Sequence, residues 1–171
     1  LGLCFKPGSM DIKAYTNADW AGDPNDRRST TCFVVFLGSN SVSWSSKKQH
    51  TVSPLSTEAE YQAMATTTAE VVWIQQLLKD LHLSSSSIPP LHCDNISTNH
   101  VLHSKAKHIE VDCHFVQECV QQGTILLQLV SSAEQCAYVL TKWLCSQFNV
   151  HCSNLLCLVL TSISLRGNVR L

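Results

Sequence analysis

Three segments with a two-residue period precede any helical pattern in this chain, and that order restricts the fold more than any other feature. Asp11 to Trp20 alternates Ile12, Ala14 and Thr16 against Lys13, Tyr15 and Asn17, the mark of a strand with one buried face. Thr30 to Leu37 is β-branched and aromatic, and Gly38-Ser39-Asn40 turns it into Ser41 to Ser45, so these two segments form an antiparallel hairpin. The period then changes. Thr57-x-x-Glu60 reads as a capping box, and Val71, Ile74, Leu78 and Leu81 follow on one face of a long helix. Ser84 to Ser87 ends it as a linker, and Pro89-Pro90 opens a short strand, Leu91-His92-Cys93. Ile109, Cys113, Val116 and Val120 mark a second helix that stops at Gly123. Thr124 to Val130 reads as a fifth strand and Ala133 to Leu144 as a last helix. Strands that return through helical crossovers lie parallel to one another. The expected fold is therefore α/β, a mixed five-stranded sheet whose first three strands are antiparallel, flanked by helices.

Composition excludes several classes of protein. The chain has 171 residues with 44% hydrophobic content, enough for one domain with a sizeable core. A formal net charge of −1 gives no global basic footprint, so any nucleic-acid binding must rely on local patches. The nine cysteines are odd in number and include no C-x-x-C pair, which favours reduced thiols in an intracellular compartment over a disulfide framework. Leu1 to Phe5 lacks a basic n-region and an initiator Met, which suggests a chain cut from something longer with no signal peptide. The most apolar stretch, Asn154 to Leu165, is too short and too polar to span a bilayer. His92, Cys93, His100, His103, His108, Cys113 and His114 show no zinc-finger or ribbon spacing. Gly-rich phosphate loops and Gly-x-Ser-x-Gly elbows are missing from the sequence.

Acidic and amide side chains stand at the ends of several elements. Tyr15-Thr16-Asn17-Ala18-Asp19-Trp20 closes the first strand, Ser56-Thr57-Glu58-Ala59-Glu60-Tyr61 opens the long helix, and Cys93-Asp94-Asn95 follows the fourth strand. Carboxylates spread in this way suit a divalent-metal phosphodiesterase site, because no single segment supplies enough oxygen ligands for Mg²⁺. Each has a local explanation as well. Asp19 can simply end a strand above a turn, Glu60 can complete the capping box, and Asp94 can cap the helix that follows it. Tyr138 can be a boundary residue of the last helix. The basic groups Arg27-Arg28, Lys47-Lys48 and Lys105-Ala106-Lys107 can be solvated turns and helix starts.

In order and wording, these segments resemble the ribonuclease H domain at the end of the Pol polyprotein of copia-type retrotransposons. The match is carried by Tyr-Thr-Asn-Ala-Asp-Trp, Ser-Thr-Glu-Ala-Glu-Tyr, His-Cys-Asp-Asn, Lys-His-Ile-Glu-Val-Asp-Cys-His-Phe and Ala-Tyr-Val-Leu-Thr-Lys, from about Leu3 to Lys142. The resemblance implies a ribonuclease H-like sheet and cleavage of the RNA strand of RNA–DNA hybrids by two Mg²⁺ (or Mn²⁺) ions. It implies four metal-binding acids, and it assigns their positions to Asn17, Glu60, Asp94 and Tyr138. Two of these are not acids, so Glu60 and Asp94 remain as metal ligands for a weakly bound ion, and activity is expected to be impaired. Asp19 lies on the same strand face as Asn17 but roughly 6–7 Å further along by strand rise, a poor substitute. Arg27, Arg28, Lys47, Lys48 and Lys107 are the implied contacts to hybrid phosphates. Cys32 and Trp143 stand where the family writes Gly, and the stretch from Asn95 to His103 is shorter than the family's.

The implied division is a reverse transcriptase connection over 1–10, the ribonuclease H-like domain over 11–145 and a polyprotein tail over 146–171. The implied partners are RNA–DNA hybrid and the reverse transcriptase and integrase portions of a parent polyprotein. A different class of function also accommodates these residues, a non-catalytic module that binds nucleic acid or a protein partner through its basic pairs.

Overall fold

The computed structural model describes residues 2–3, 5–83, 87–94, 107–141 and 158–159. A minor antiparallel pair joins β1 (Gly2–Leu3) to β7 (Leu158–Val159). The main sheet consists of β2 (Ile12–Asp19), β3 (Thr30–Leu37), β4 (Asn40–Lys48), β5 (Pro90–Cys93) and β6 (Leu126–Leu129), in the order β4-β3-β2-β5-β6. β2 pairs antiparallel with β3 and β3 with β4, while β5 lies parallel to both β2 and β6. This is the mixed sheet that the periodicities lead one to expect.

Local chemistry accounts for the elements. Ile12, Ala14 and Thr16 are buried as the alternation requires, and the opposite face of β2 carries Lys13, Tyr15 and Asn17. Gly38 turns the β3–β4 hairpin at φ 59°, and a Cβ there would collide with the Ser9 carbonyl. α1 (Ser56–Asp80) crosses β2 and β3, burying Met64, Thr67, Val71, Ile74 and Leu78 along one stripe. α2 (Lys107–Gln121) packs against α1 through Val116 and Cys119, with Cys113 and Val120 at the edge of the core. Gly123, at φ 68°, donates its amide to the Val120 carbonyl at 3.0 Å, and Thr124 donates to Cys119 at 2.8 Å, closing α2 as its glycine requires.

Three expectations are corrected. The capping box does not form, because the extended N-cap residue is Leu55 (φ −125°, ψ 148°) and no side chain caps the helix. Ser56 and Thr57 are already helical, so Glu60 lies in the second turn, too far along to reach back to the cap. Leu81 does not continue the buried stripe; it follows the last helical residue and is exposed. Where a helix is expected over 133–144, the described residues form a short 3₁₀ turn, Cys136–Leu140, with Gln135 as its N-cap. The expectations for Trp143 and for the segment from Asn95 to His103 lie outside the described residues, as does the tail beyond residue 145 apart from Leu158 and Val159.

Candidate active site

The sheet alternation sends the two faces of β3 to different neighbours. Phe33 and Val35 join the core beneath α1, whereas Cys32 points to the opposite face. There, register aligns Asn17, Cys32 and Ser46 across β2, β3 and β4. The 3₁₀ turn lies over this row. Cys32 Sγ donates to the Ala137 carbonyl at 3.2 Å and to the Asn17 carbonyl at 3.4 Å, and Ser46 Oγ donates to the Leu140 carbonyl at 2.8 Å. The buried Gln135 adds two more bonds. Its Nε2 donates to the Thr16 carbonyl at 3.0 Å, and its Oε1 accepts from the Ala137 amide at 3.2 Å.

At the carboxyl end of β5, Asp94 meets this turn, and Tyr138 Oη donates a hydrogen bond to Asp94 Oδ2. A small cavity, partly open to solvent, lies beside the pair and is lined by Thr16, Asn17, Ala18, Glu60, Met64, Cys93 and Asp94. Glu60 and Met64 are one helical turn apart on the α1 face that looks onto β2. Next along that face, Thr67 Oγ1 donates to Thr16 Oγ1 at 2.9 Å. A buried glutamine fixes the start of α1: Gln49 Nε2 donates to the Ala59 carbonyl at 3.0 Å and to Thr31 Oγ1 at 2.9 Å. Asn17, Glu60 and Asp94 are thus gathered at one cavity, and Tyr138 is joined to it through Asp94. Asp19 is not among the lining residues; its carboxylate packs against Gly22.

The chemistry of the cavity is that of two carboxylates beside neutral groups. Burial and the hydrogen bond to Asp94 push the Tyr138 phenol above its ordinary pKa, so it stays protonated and serves as a donor. Burial, together with the charges of Asp94 and Glu60, raises the Cys93 thiol to about 11. Burial raises Cys32 to about 12. Among the described residues, no group of three or more His, Cys, Asp or Glu is arranged to hold a metal ion.

The thiol shifts make one prediction. At neutral pH, Cys32 holds about a thousandfold less thiolate than an unburied cysteine, so iodoacetamide should modify it only after unfolding. Mass spectrometry of native and denatured samples checks this, and equal labelling in both would contradict the burial.

The basic candidates divide into two sets. Lys48 Nζ forms an ion pair with Asp23, and a second with Asp26 at 3.0 Å, while Arg28 Nε approaches Asp26 at 3.6 Å. Arg27 and Lys47 are exposed and form no ion pair among the described residues. The side chain of Lys107 lies outside the described residues.

The comparisons agree with this architecture. No protein-family model matches the chain. It is 44% identical, over 82% of its length, to the retrovirus-related Pol polyprotein from transposon RE2 of Arabidopsis thaliana, and covers 10% of that polyprotein. It is 34% identical to the corresponding polyprotein from transposon TNT 1-94 of Nicotiana tabacum, again over 82% of the chain and 11% of the polyprotein. The chain belongs to the retrovirus-related Pol polyprotein family of transposons. It spans about a tenth of the length of these relatives.

Solved structures place its fold. The N-terminal RNase H domain of a Mycobacterium tuberculosis protein superposes with a TM-score of 0.53 at 12% identity, covering 74% of this chain and 92% of that one. An LC11 RNase H1 in complex with an RNA/DNA hybrid gives a TM-score of 0.53 at 11% identity, over 73% and 88% of the two chains. At such identities the likeness speaks of fold, and the fold is ribonuclease H-like.

Sequence reading missed Cys32, Ser46, Gln49 and Gln135 as groups that position this site. Gln49 directly follows the basic pair Lys47-Lys48, and Cys32 stands where the resemblance has Gly. Nothing in the sequence pairs either of them with its acceptor.

Proposed function

We propose that this domain derives from an RNA–DNA-hybrid ribonuclease and still engages hybrid, but has lost two-metal hydrolysis. The observation that carries this reading is the hydrogen bond from Tyr138 to Asp94 Oδ2. In the Pol family, position 138 is expected to hold a carboxylate that faces metal. Here a neutral phenol takes one of the remaining acid's oxygens instead.

The donor set does not fit a pair of divalent ions. Mg²⁺ requires octahedral oxygen ligands at about 2.0–2.1 Å and leans on carboxylates. A two-ion centre must hold its metals about 3.5–4 Å apart, with ligands shared between them. Glu60 and Asp94 are the carboxylates that line the cavity, and Asn17 contributes no charge.

Hybrid as the ligand is supported by the fold and by the RNase H1 neighbour that was solved with one. Exposed Arg27 and Lys47 are the candidate phosphate contacts. Lys48 and Arg28 are already matched by Asp23 and Asp26. In this reading the reverse transcriptase and integrase portions of a parent polyprotein are its neighbours, and Mg²⁺ or Mn²⁺ binds weakly.

The test uses a labelled RNA–DNA hybrid and a DNA duplex of the same sequence. Hybrid should bind more tightly than duplex, equally well in Mg²⁺ and in EDTA, with no release of the RNA strand. Arg27→Ala and Lys47→Ala should each reduce the slope of log affinity against log salt by about 1, and Lys48→Ala by much less. Mg²⁺-dependent cleavage by the unmodified chain, abolished by Asp94→Asn, would overturn the proposal.

A further inference from the structure

Residues from four elements converge on the 3₁₀ turn. Cys32 of β3 holds the Ala137 carbonyl, Ser46 of β4 holds the Leu140 carbonyl, and Gln135 ties the turn back to Thr16 of β2. Tyr138 then reaches Asp94, just beyond β5. These bonds span long stretches of chain: 105 positions for Cys32 to Ala137, 94 for Ser46 to Leu140, 119 for Gln135 to Thr16 and 44 for Tyr138 to Asp94. None of them belongs to regular secondary structure, and all draw one short segment onto the cavity.

Two carboxylates that face one cavity repel each other, and a folded protein must offset that cost with a cation, a proton or hydrogen-bond donors. Here a donor is in place. The Tyr138 hydroxyl bonds to Asp94, and its backbone neighbour Ala137 is anchored twice, through its carbonyl to Cys32 and through its amide to Gln135. A phenol held so firmly is a positioned donor rather than a side chain that happens to touch. Asn17 and Cys32 lie opposite each other in the β2–β3 register, and the Cys32 thiol touches the Asn17 carbonyl. The three positions at which this chain departs from its family's pattern near the cavity, 17, 32 and 138, are therefore one connected cluster.

We infer that Tyr138, anchored through Cys32, Ser46 and Gln135, clasps Asp94 at the rim of the cavity by hydrogen bonding where a cation would otherwise offset the carboxylates. The folded site accordingly gains nothing from divalent metal. The inference rests on the proposal that this cavity derives from a metal centre. It concerns what holds the site together, and that is measured separately from cleavage.

Thermal unfolding of the full chain in EDTA and in millimolar MgCl₂ tests it. The unmodified protein should melt at the same temperature in both. Tyr138→Phe leaves the Asp94 carboxylate without its donor, and the melting temperature in EDTA should fall by about 2–10 °C. Because the variant frees an Asp94 oxygen, MgCl₂ should recover part of that fall, and Tyr138→Phe combined with Asp94→Ala should show no such recovery. An unchanged melting temperature for Tyr138→Phe, or a metal response as large in the unmodified chain as in the variant, would overturn the inference.

Should Tyr138→Phe fail to fold, amide exchange on the unmodified chain decides. Equal protection of Ala137, Tyr138 and Thr141 in EDTA and in Mg²⁺ supports the clasp, and protection that appears only with Mg²⁺ refutes it. Hybrid cleavage by a chain whose stability ignores metal would remove the proposed loss of hydrolysis and leave the clasp standing.

Discussion

Replacing Asn17 and Tyr138 together by Asp is expected to raise Mg²⁺-dependent release of RNA from a hybrid at least about a hundredfold over the unmodified chain. Asn17→Asp alone should recover little. The phenol of Tyr138 would still hold Asp94 Oδ2, and the new carboxylate would sit near two others with no second metal to share. Tyr138→Asp alone should also recover little, since it removes the donor to Asp94 without supplying charge at position 17. Residues that act as one unit give such non-additive returns, and a double-mutant cycle on initial rates would display them. The double variant should also become metal-dependent in stability, because four carboxylates at one cavity repel until cations neutralise them. A double variant that is folded yet inert would move the defect elsewhere. Cys32, which anchors the 3₁₀ turn in place of a family Gly, would be the first position to revert.

The strands were legible in the sequence because their cause is local. Alternation over Ile12 to Asn17 and the β-branched run from Thr30 to Leu37 each follow from which face meets the core, and Gly38 at positive φ fixes the hairpin between β3 and β4. Where tertiary contacts decide, the local signals misled. Thr57-x-x-Glu60 has the letters of a capping box, yet the chain turns helical earlier, with the Glu58 amide donating to the Leu55 carbonyl at 3.2 Å. The stretch 133–144 reads as a helix, but the side chains of Gln135, Cys32 and Ser46 hold a tighter turn over Cys136–Leu140.

The candidate site divides in the same way. Family wording picks out Asn17, Glu60, Asp94 and Tyr138, which lie on four different segments of the chain. The bond from Tyr138 to Asp94 and the pairing of Lys48 with Asp23 and Asp26 are products of three-dimensional proximity. Of the basic residues singled out, sequence could not distinguish those already neutralised from those open to a phosphate.

Leu91→Ala is expected to destabilise the domain by about 2–5 kcal/mol, the usual range for emptying a buried leucine site that cannot collapse. Leu91 has 0% of its surface exposed, and β5 is held on both sides, parallel to β2 at Ala14 and to β6 at Leu127. Paired backbone on both flanks prevents the strand from shifting to fill the void. Such a loss is a large part of the 5–15 kcal/mol typical of a domain this size, so partial unfolding at 37 °C is expected. Leu129→Ala provides the control. It is also a leucine of the sheet, but it is 61% exposed on the edge strand β6 and should change stability by no more than about 0.5 kcal/mol. Urea unfolding of the two variants measures the difference, read as a shift in midpoint at constant slope. The effect also reaches the site, because Asp94 follows directly on Cys93, the last residue of β5. A loosened β5 should weaken the Tyr138–Asp94 bond, so amides of the Cys136–Leu140 turn should exchange faster in Leu91→Ala than in Leu129→Ala. Equal destabilisation by the two substitutions would mean that β5 is not the rigid support that sets Asp94 in place.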